Sequence, residues 1–388
     1  MKTPILKAVA MPPRLFWAPT ALTLVNIAVQ TALILVALGI ASGKLNPLVF
    51  IISFSVVQIG LIIWGSQEPH LGTILPCQKR TKKMWGTNDK IKPGILNPKP
   101  ADGGFGIEIK GRQIRVITLN GDLAFAADWR KWLMAMARYP VNIQSWISNQ
   151  GKMRLIISAD AKEPYRLREA VQDTMSLLRE FLPVESGVPE TMRIWEEILA
   201  QDVRFLKSNG MFVTQNSRKY MVFLSVGQFG DSTDTNMITE LLALNAEINI
   251  MHHIKVLPSA KANALLMQER KAAFLSSFSQ NIYNQYTQAL EAIDTLSEFP
   301  QVATRYGLVL EIGAPSMMDM EKTLIQVAAI MKRYGVKIVR EKNLAKACFT
   351  TQFPDAVGVP RRFLMLSDNV VTMLNIPQQG GPYSGEQF

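Results

Sequence analysis

Two long apolar runs stand at the head of the chain. Residues 15–43 carry no charged side chain, Lys44 interrupts, and residues 45–67 are again uncharged. Each run exceeds the roughly 20 residues that a helix needs to cross a hydrocarbon core. The pattern predicts a two-helix transmembrane hairpin with basic flanks over residues 1–83. A cleaved secretory signal is the competing reading of the first run, because Lys2, Lys7 and Arg14 precede it. The run is longer than a signal core and a second span follows at once, so the hairpin is preferred.

Past the hairpin the periodicity changes. Residues 84–104 hold Gly86, Pro93, Gly94, Pro98, Pro100, Gly103 and Gly104 among polar positions, which predicts a linker. From Phe105 the apolar and polar positions alternate on both sides of Gly111 and Arg112, as in a strand hairpin that ends near Asn120. Trp129, Trp132, Leu133 and Met136 recur at spacings of three and four, predicting an amphipathic helix over 128–139 stopped by Pro140. Residues 141–147 and 153–158 read as strands, 163–181 as a helix, and 192–206 as a further helical stretch.

A second round begins near Lys219. Residues 220–226 read as a strand, 236–251 as a helix, Val256 and Leu257 as a brief strand, and 260–299 as largely helical. A strand at 306–312, a helix at 317–334, a strand at 336–339 and a short helix at 344–349 follow. The expected fold class is α+β: a mixed helix and antiparallel-sheet soluble body behind the hairpin, in subdomains 105–212 and 213–374. Residues 375–388, rich in glycine and proline, read as a flexible tail.

Charge orients the hairpin. Lys2, Lys7 and Arg14 precede it, Lys79, Arg80, Lys82 and Lys83 follow it, and Lys44 alone sits in the turn. This places both termini and the soluble body on the cytoplasmic side. Arg14, Trp17, Trp64, Lys79, Arg80, Lys82 and Lys83 fall where interfacial residues belong, and the basic group is the expected contact for anionic lipids. It accounts for part of the net charge of +11 without a polynucleotide. Asn26, Gln30 and Gln58 lie inside the apolar runs, where amides bond across a hairpin or to a neighbouring membrane subunit; the second is preferred. Cys77 and Cys348 belong to no Cys-x-x-Cys pair and read as free thiols.

A catalytic constellation is not legible. No stretch has the glycines followed by Lys-Ser/Thr that cradle nucleotide phosphates, and Gly103-Gly104-Phe105-Gly106 leads into strand residues instead of a helix. His252 and His253 are adjacent; on a helix they would point about 100° apart, and no Cys or acidic cluster supplies further ligands. His70 sits in Glu68-Pro69-His70 just beyond the second span and reads as an interfacial polar group. Asp234 precedes a helix and reads as its cap. No catalytic, cofactor or metal residue is assigned.

Pro12-Pro13-Arg14-Leu15-Phe16-Trp17-Ala18-Pro19, two spans parted around Asn46-Pro47, and Glu68-Pro69-His70 together resemble the small two-helix inner-membrane subunit of type IV secretion systems. The remainder resembles the N-terminal, non-catalytic domain of the large ATPase of the same systems. Leu119-Asn120-Gly121-Asp122 before a helix, the strand Arg218-Lys219-Tyr220-Met221-Val222-Phe223-Leu224, and Val256-Leu257-Pro258 carry that likeness. The resemblance implies a fusion of the two that lacks the motor domain: a bacterial inner-membrane scaffold in a conjugation or secretion apparatus. Its implied partners are other inner-membrane secretion subunits, a separate ATPase motor and an oligomeric assembly. Whether the motor is encoded separately, or the chain is a truncated ATPase or a structural paralogue, stays open. A membrane-bound enzyme with an unrecognised site and a membrane-tethered nucleic-acid handler are the readings from other classes.

Overall fold

The computed structural model describes residues 2–5, 12, 14–16, 18–40, 47–85, 98–101, 105–109, 111–120, 128–149, 152–179, 184–186, 191–193, 196–197, 203–214, 219–275, 301–353 and 358–375. Short strands β1 (Lys2–Pro4), β2 (Arg14–Leu15) and β3 (Ala18–Pro19) precede helices α1 (Thr20–Ile40) and α2 (Pro47–Gln67). Pro47 occupies the first turn of α2, where its missing N–H breaks no helical bond. Both helices are long and apolar enough to span a membrane. Val29, Leu35, Val36, Ile52 and Val56 expose half or more of their area along them, an extended apolar surface of the kind that marks a membrane or protein contact. Trp17 and Lys44 lie outside the described residues.

Helix α3 (Leu71–Met84) follows after a three-residue step, and the mixed α+β body then begins with β4 (Lys99–Pro100), β5 (Ile107–Ile109) and β6 (Arg112–Asn120). Gly111 turns between β5 and β6 with φ +72°, a conformation that costs glycine little. Next come α4 (Trp129–Met136), β7 (Asn142–Ser148), β8 (Lys152–Asp160), α5 (Pro164–Arg179), β9 (Val184–Ser186), β10 (Val203–Leu206), β11 (Met211–Thr214) and β12 (Tyr220–Gln228). The chain continues through β13 (Ser232–Asp234), α6 (Thr235–Leu242), β14 (Glu247–Val256), α7 (Ser259–Leu275), β15 (Ala303–Ala314) and α8 (Met317–Arg333). It ends in β16 (Lys337–Arg340), α9 (Ala345–Thr350), β17 (Phe363–Leu366) and α10 (Ser367–Leu374).

Among the described residues one antiparallel sheet runs β10-β11-β12-β15-β14-β7-β8-β6-β5-β4, with β16 on β12, β17 on β15 and β9 on β6. The stretches 105–212 and 213–374 both feed it, joined where Ile250 of β14 stands opposite Ile147 of β7. Alternation along each strand sorts the two faces. Val222, Leu224, Leu308 and Leu310 face a core covered by α4, α5, α6, α8 and α10, while Met221, Phe223 and Val309 face a second core under α3 and α9. Trp132 is buried in the first, its indole N–H 2.9 Å from Thr174 Oγ1.

Several elements depart from the sequence reading. The helix expected over 236–251 ends at Leu242, and Glu247 opens the ten-residue strand β14. No glycine or proline marks that break; only a change of apolar period from 3.6 to 2 does. Consequently His252 and His253 point to opposite faces of a sheet, not 100° apart on a helix. The end of the stretch expected to be helical over 192–206 is strand β10, paired edge to edge with β11. Lys99 and Pro100, expected in the linker, pair with β5, and the expected basic cluster of residues 79–83 is part of helix α3. Residues 376–388, the rest of the expected tail, lie outside the described residues.

Candidate functional site

The hairpin is closed by its own polar side chains. Asn26 Nδ2 donates to Gln58 Oε1 at 3.3 Å, and Gln30 Nε2 donates to Ser53 Oγ at 3.1 Å. Gln58 Nε2 donates to Thr23 Oγ1 and to the Phe16 carbonyl, both at 3.2 Å. The three amides for which contacts with a neighbouring subunit are expected are buried, and each makes a hydrogen bond within the hairpin, while Gln30 Oε1 has no partner among the described residues. The reason is steric as well as polar: β2 and β3 fold back against α2, so a polar ladder lies between the helices and the tight turn.

That turn is built from Arg14, Leu15 and Phe16 on one side and Ala18 and Pro19 on the other. Phe16 has φ +48°, a left-handed conformation costing a non-glycine residue roughly 1–2 kcal/mol. Its carbonyl is held by Gln58, and Leu15 O accepts from Thr23 Oγ1 at 3.2 Å. Arg14 Nη2 donates to Gly65 O at 3.3 Å, placing a cation on the carbonyl end of α2, where the helix dipole favours it. Pro19 packs on Gly65 so closely that a Cβ there would meet its ring Cδ at 2.5 Å. Trp64, near the same end of α2, is half-exposed.

Immediately beyond α2, Glu68-Pro69-His70 enters the body. Arg361 is buried, its Nε 2.8 Å from Glu341 Oε1 and 3.0 Å from Ser225 Oγ, and its Nη1 pairs with Glu68. Burial pulls the guanidinium pKa down, but the contacts with Glu68 and Glu341 more than offset it and leave it raised. His70 is fully buried, not interfacial: its Nε2–H donates to Gly227 O at 3.3 Å, and its ring meets Phe363 edge-on at 4.8 Å. Burial first, and Arg361 second, push its pKa down to about 4, so the ring is neutral at pH 7.

Helix α3 continues the joint. Thr73 Oγ1 donates to Pro360 O at 2.6 Å, Cys77 Sγ to Gly358 O at 3.0 Å, and Trp85 Nε1 to Thr350 Oγ1 at 3.2 Å. Both cysteines are buried free thiols, and burial lifts Cys77 to about 11, which leaves it unreactive. The apolar face of α3 carries Ile74, Cys77 and Met84 into the second core, while Lys79, Arg80, Lys82 and Lys83 are exposed on the other side.

The N-terminal flank of the hairpin is fixed to the same body. β1 pairs with β13, Lys2 opposite Asp234, and Thr3 Oγ1 lies 2.7 Å from Thr372 Oγ1 of α10. Asp234 also caps α6 by accepting from Asn236 N at 3.0 Å. The hairpin thus leaves the body and returns to it, with β1 before it and the Glu68–Arg361 joint after it. Sequence reasoning found Glu68-Pro69-His70 but missed Arg361, Glu341, Ser225 and Gly227, which carry no local signal. Their partners stand up to 293 positions away.

Among the described residues no three His, Cys, Asp or Glu side chains converge as a metal would require. Residues 183–362 match the CagE, TrbE, VirB family, component of type IV transporter system. No curated protein matches the chain. The matched stretch runs from β9 through Arg361 and so contains the body side of the joint, while the hairpin, α3 and β4 to β8 precede it.

Proposed function

We propose that this chain is an inner-membrane platform subunit of a type IV secretion or conjugative transfer apparatus. The hairpin anchors it with both flanks and the body on the cytoplasmic side, and the body presents a docking surface to a separate ATPase motor. The carrying observation is the double attachment of the hairpin: β1 on β13 before it, and Glu68 on the buried Arg361 after it. An anchor attached through one flexible linker would swing freely. An anchor held at both flanks fixes the body's distance and orientation relative to the bilayer, which is what a platform for other subunits needs.

Within this reading Arg14 and Trp64 sit at the membrane boundary, and Lys79, Arg80, Lys82 and Lys83 face anionic lipids. The interhelical amides hold the two spans together, so contacts with other inner-membrane subunits fall to the outer apolar rows, such as Val29 and Val36 on α1 and Ile52 and Val56 on α2. The support for a secretion role is the family match over 183–362, which includes most of the second half of the sheet.

The test has two parts. The tagged full chain should resist carbonate extraction from bacterial inner membranes. From mild detergent it should co-purify with the motor ATPase and membrane subunits of the secretion system expressed beside it. Release by carbonate, or a chain that elutes alone while each partner remains intact, would overturn the proposal.

A further inference from the structure

Helix α8 presents an apolar row to solvent. Ile325 and Met318 are 69% and 66% exposed, the highest values of any large apolar side chain among the described residues and above every position on the membrane-length helices α1 and α2. Standing seven residues apart, they share one face of α8 with about 10 Å between them. Exposed Ala328 and Ala329 continue that face toward the C-terminus, and exposed Lys322 and Lys332 lie along it.

The opposite face holds α8 in place, so the row cannot turn inward. Met320, Val327, Ile330 and Met331 are buried in the first core. Ser316 caps the first turn by accepting from Asp319 N at 3.1 Å, and Arg333 pairs with Glu240 of α6 at 2.8 Å. Single exposed apolar side chains are ordinary on a protein surface, but a row at heptad spacing on a fixed helix is the pattern that a second helix covers.

Charge states what that second helix carries. Glu321 is engaged by Arg340 at 2.9 Å, and Asp319 accepts from Ser316 Oγ at 2.6 Å. Lys322 and Lys332 form no ion pair among the described residues. The row therefore offers apolar contact and positive charge together. A second copy of this chain in a two-fold pair would bring the same two lysines and no free carboxylate to meet them. Anionic lipid is already the proposed contact of the basic side of α3, which covers the other face of the sheet.

We propose that α8 docks an acidic amphipathic helix of another subunit, its apolar residues seated between Met318 and Ile325 and against the two alanines, its carboxylates meeting Lys322 and Lys332. The alanines let the two helix axes approach closely. The lysines, ten residues and about 15 Å apart along the axis, set the spacing of the carboxylates. This deepens the platform reading and rests on it, since it names the face by which the platform holds a partner.

A photo-crosslinking residue, benzoylphenylalanine, in place of Ile325 of the full chain tests this in inner membranes that also hold the other subunits of the secretion system. Irradiation should give a discrete adduct, which mass spectrometry should place on a segment of another subunit with apolar residues at helical spacing and Asp or Glu beside them. Lys322→Glu combined with Lys332→Glu should lower the yield about tenfold or more, and changing the identified acids to lysine should restore it. Met318→Asp, which leaves both lysines in place, should lower it as well. All three side chains are exposed, so these variants should unfold at the wild-type midpoint. An adduct with a second copy of this chain, with lipid or with a segment that carries no acids would overturn the proposal, as would a yield unmoved by the charge reversal. A chain that co-purifies with its partners yet gives no adduct would overturn the docking face and leave the platform reading standing; a chain that elutes alone would overturn both.

Discussion

Arg361 Nε lies 2.8 Å from Glu341 Oε1, and the other end of the same guanidinium holds Glu68, the first residue beyond the second membrane-length helix. One side chain thus ties a buried carboxylate of the sheet to the base of the hairpin. Arg361→Met removes the cation and leaves Glu341 buried at 3% exposure without its partner. Breaking a buried pair in this way costs about 3–5 kcal/mol. Equilibrium unfolding in detergent should show that loss; a cost below about 1 kcal/mol, typical of exposed pairs, would contradict the assignment. Glu68→Gln should be milder, since Glu68 is partly exposed. Its signature is faster amide hydrogen exchange in α3 with β12, β14 and β15 unchanged.

Glu311 of β15 gives the body one pH dependence. Burial lifts its carboxyl to about 7, against the opposing pull of Lys219 and Asn249. Gln352 Nε2 donates to it at 2.9 Å. The folded state holds this proton more tightly than the unfolded chain, whose carboxyl titrates near the ordinary 4.5. Its contribution is therefore full below that value and lost as pH rises through about 7, on the order of 3 kcal/mol in all. Glu311→Gln should flatten this fall between pH 5 and pH 8. Parallel unfolding curves for the two proteins across that window would count against it.

The histidines act in the opposite direction. Burial lowers His70 to about 4, with Arg361 adding to the effect, and lowers His252 to about 3. A depressed base is protonated first in the unfolded chain, so stability is lost as pH falls from about 6.5 through 4. Replacing the buried ring by a neutral amide, His70→Gln, should remove up to about 3 kcal/mol of this acid sensitivity, whatever it costs at pH 7. In the wild type, proton NMR should find no His70 or His252 titration above pH 5. Ring shifts that move between pH 6 and pH 7 would refute the burial argument.

Gly65 is fixed by Pro19. A Cβ at position 65 would stand 2.5 Å and 2.9 Å from the ring carbons of Pro19, and proline cannot rotate out of the way. Gly65→Leu should push the turn off α2 and break the Arg14 and Gln58 contacts with it. In a Gln30→Cys/Ser53→Cys background, where wild-type packing brings these positions together, oxidative crosslinking should fall several-fold. Unchanged crosslinking would mean that the turn yields without moving the spans.

Local pattern was enough for the elements whose environment is set by their own neighbours in sequence. The two long apolar helices needed only uninterrupted apolar length, which marks a helix long enough to span a membrane whatever packs around it. Helices α4, α5 and α8 and the turn at Gly111 were legible for a related reason: apolar spacing states which face is buried without saying against what. Strand β14 was lost although Ile248, Ile250, Ile254 and Val256 alternate, because a good helix precedes it without a breaker.

Tertiary structure alone decided the rest. No local feature distinguishes Arg361 from a solvated surface arginine; its meaning comes from Glu341, Ser225 and Glu68 converging on it through the sheet. The amides of the hairpin could equally have faced a partner, and only the packing of α1 on α2 sets Asn26 against Gln58 and Gln30 against Ser53. Burial, register and the pairing of distant charges are sums over the whole chain, and a sequence read segment by segment does not contain them.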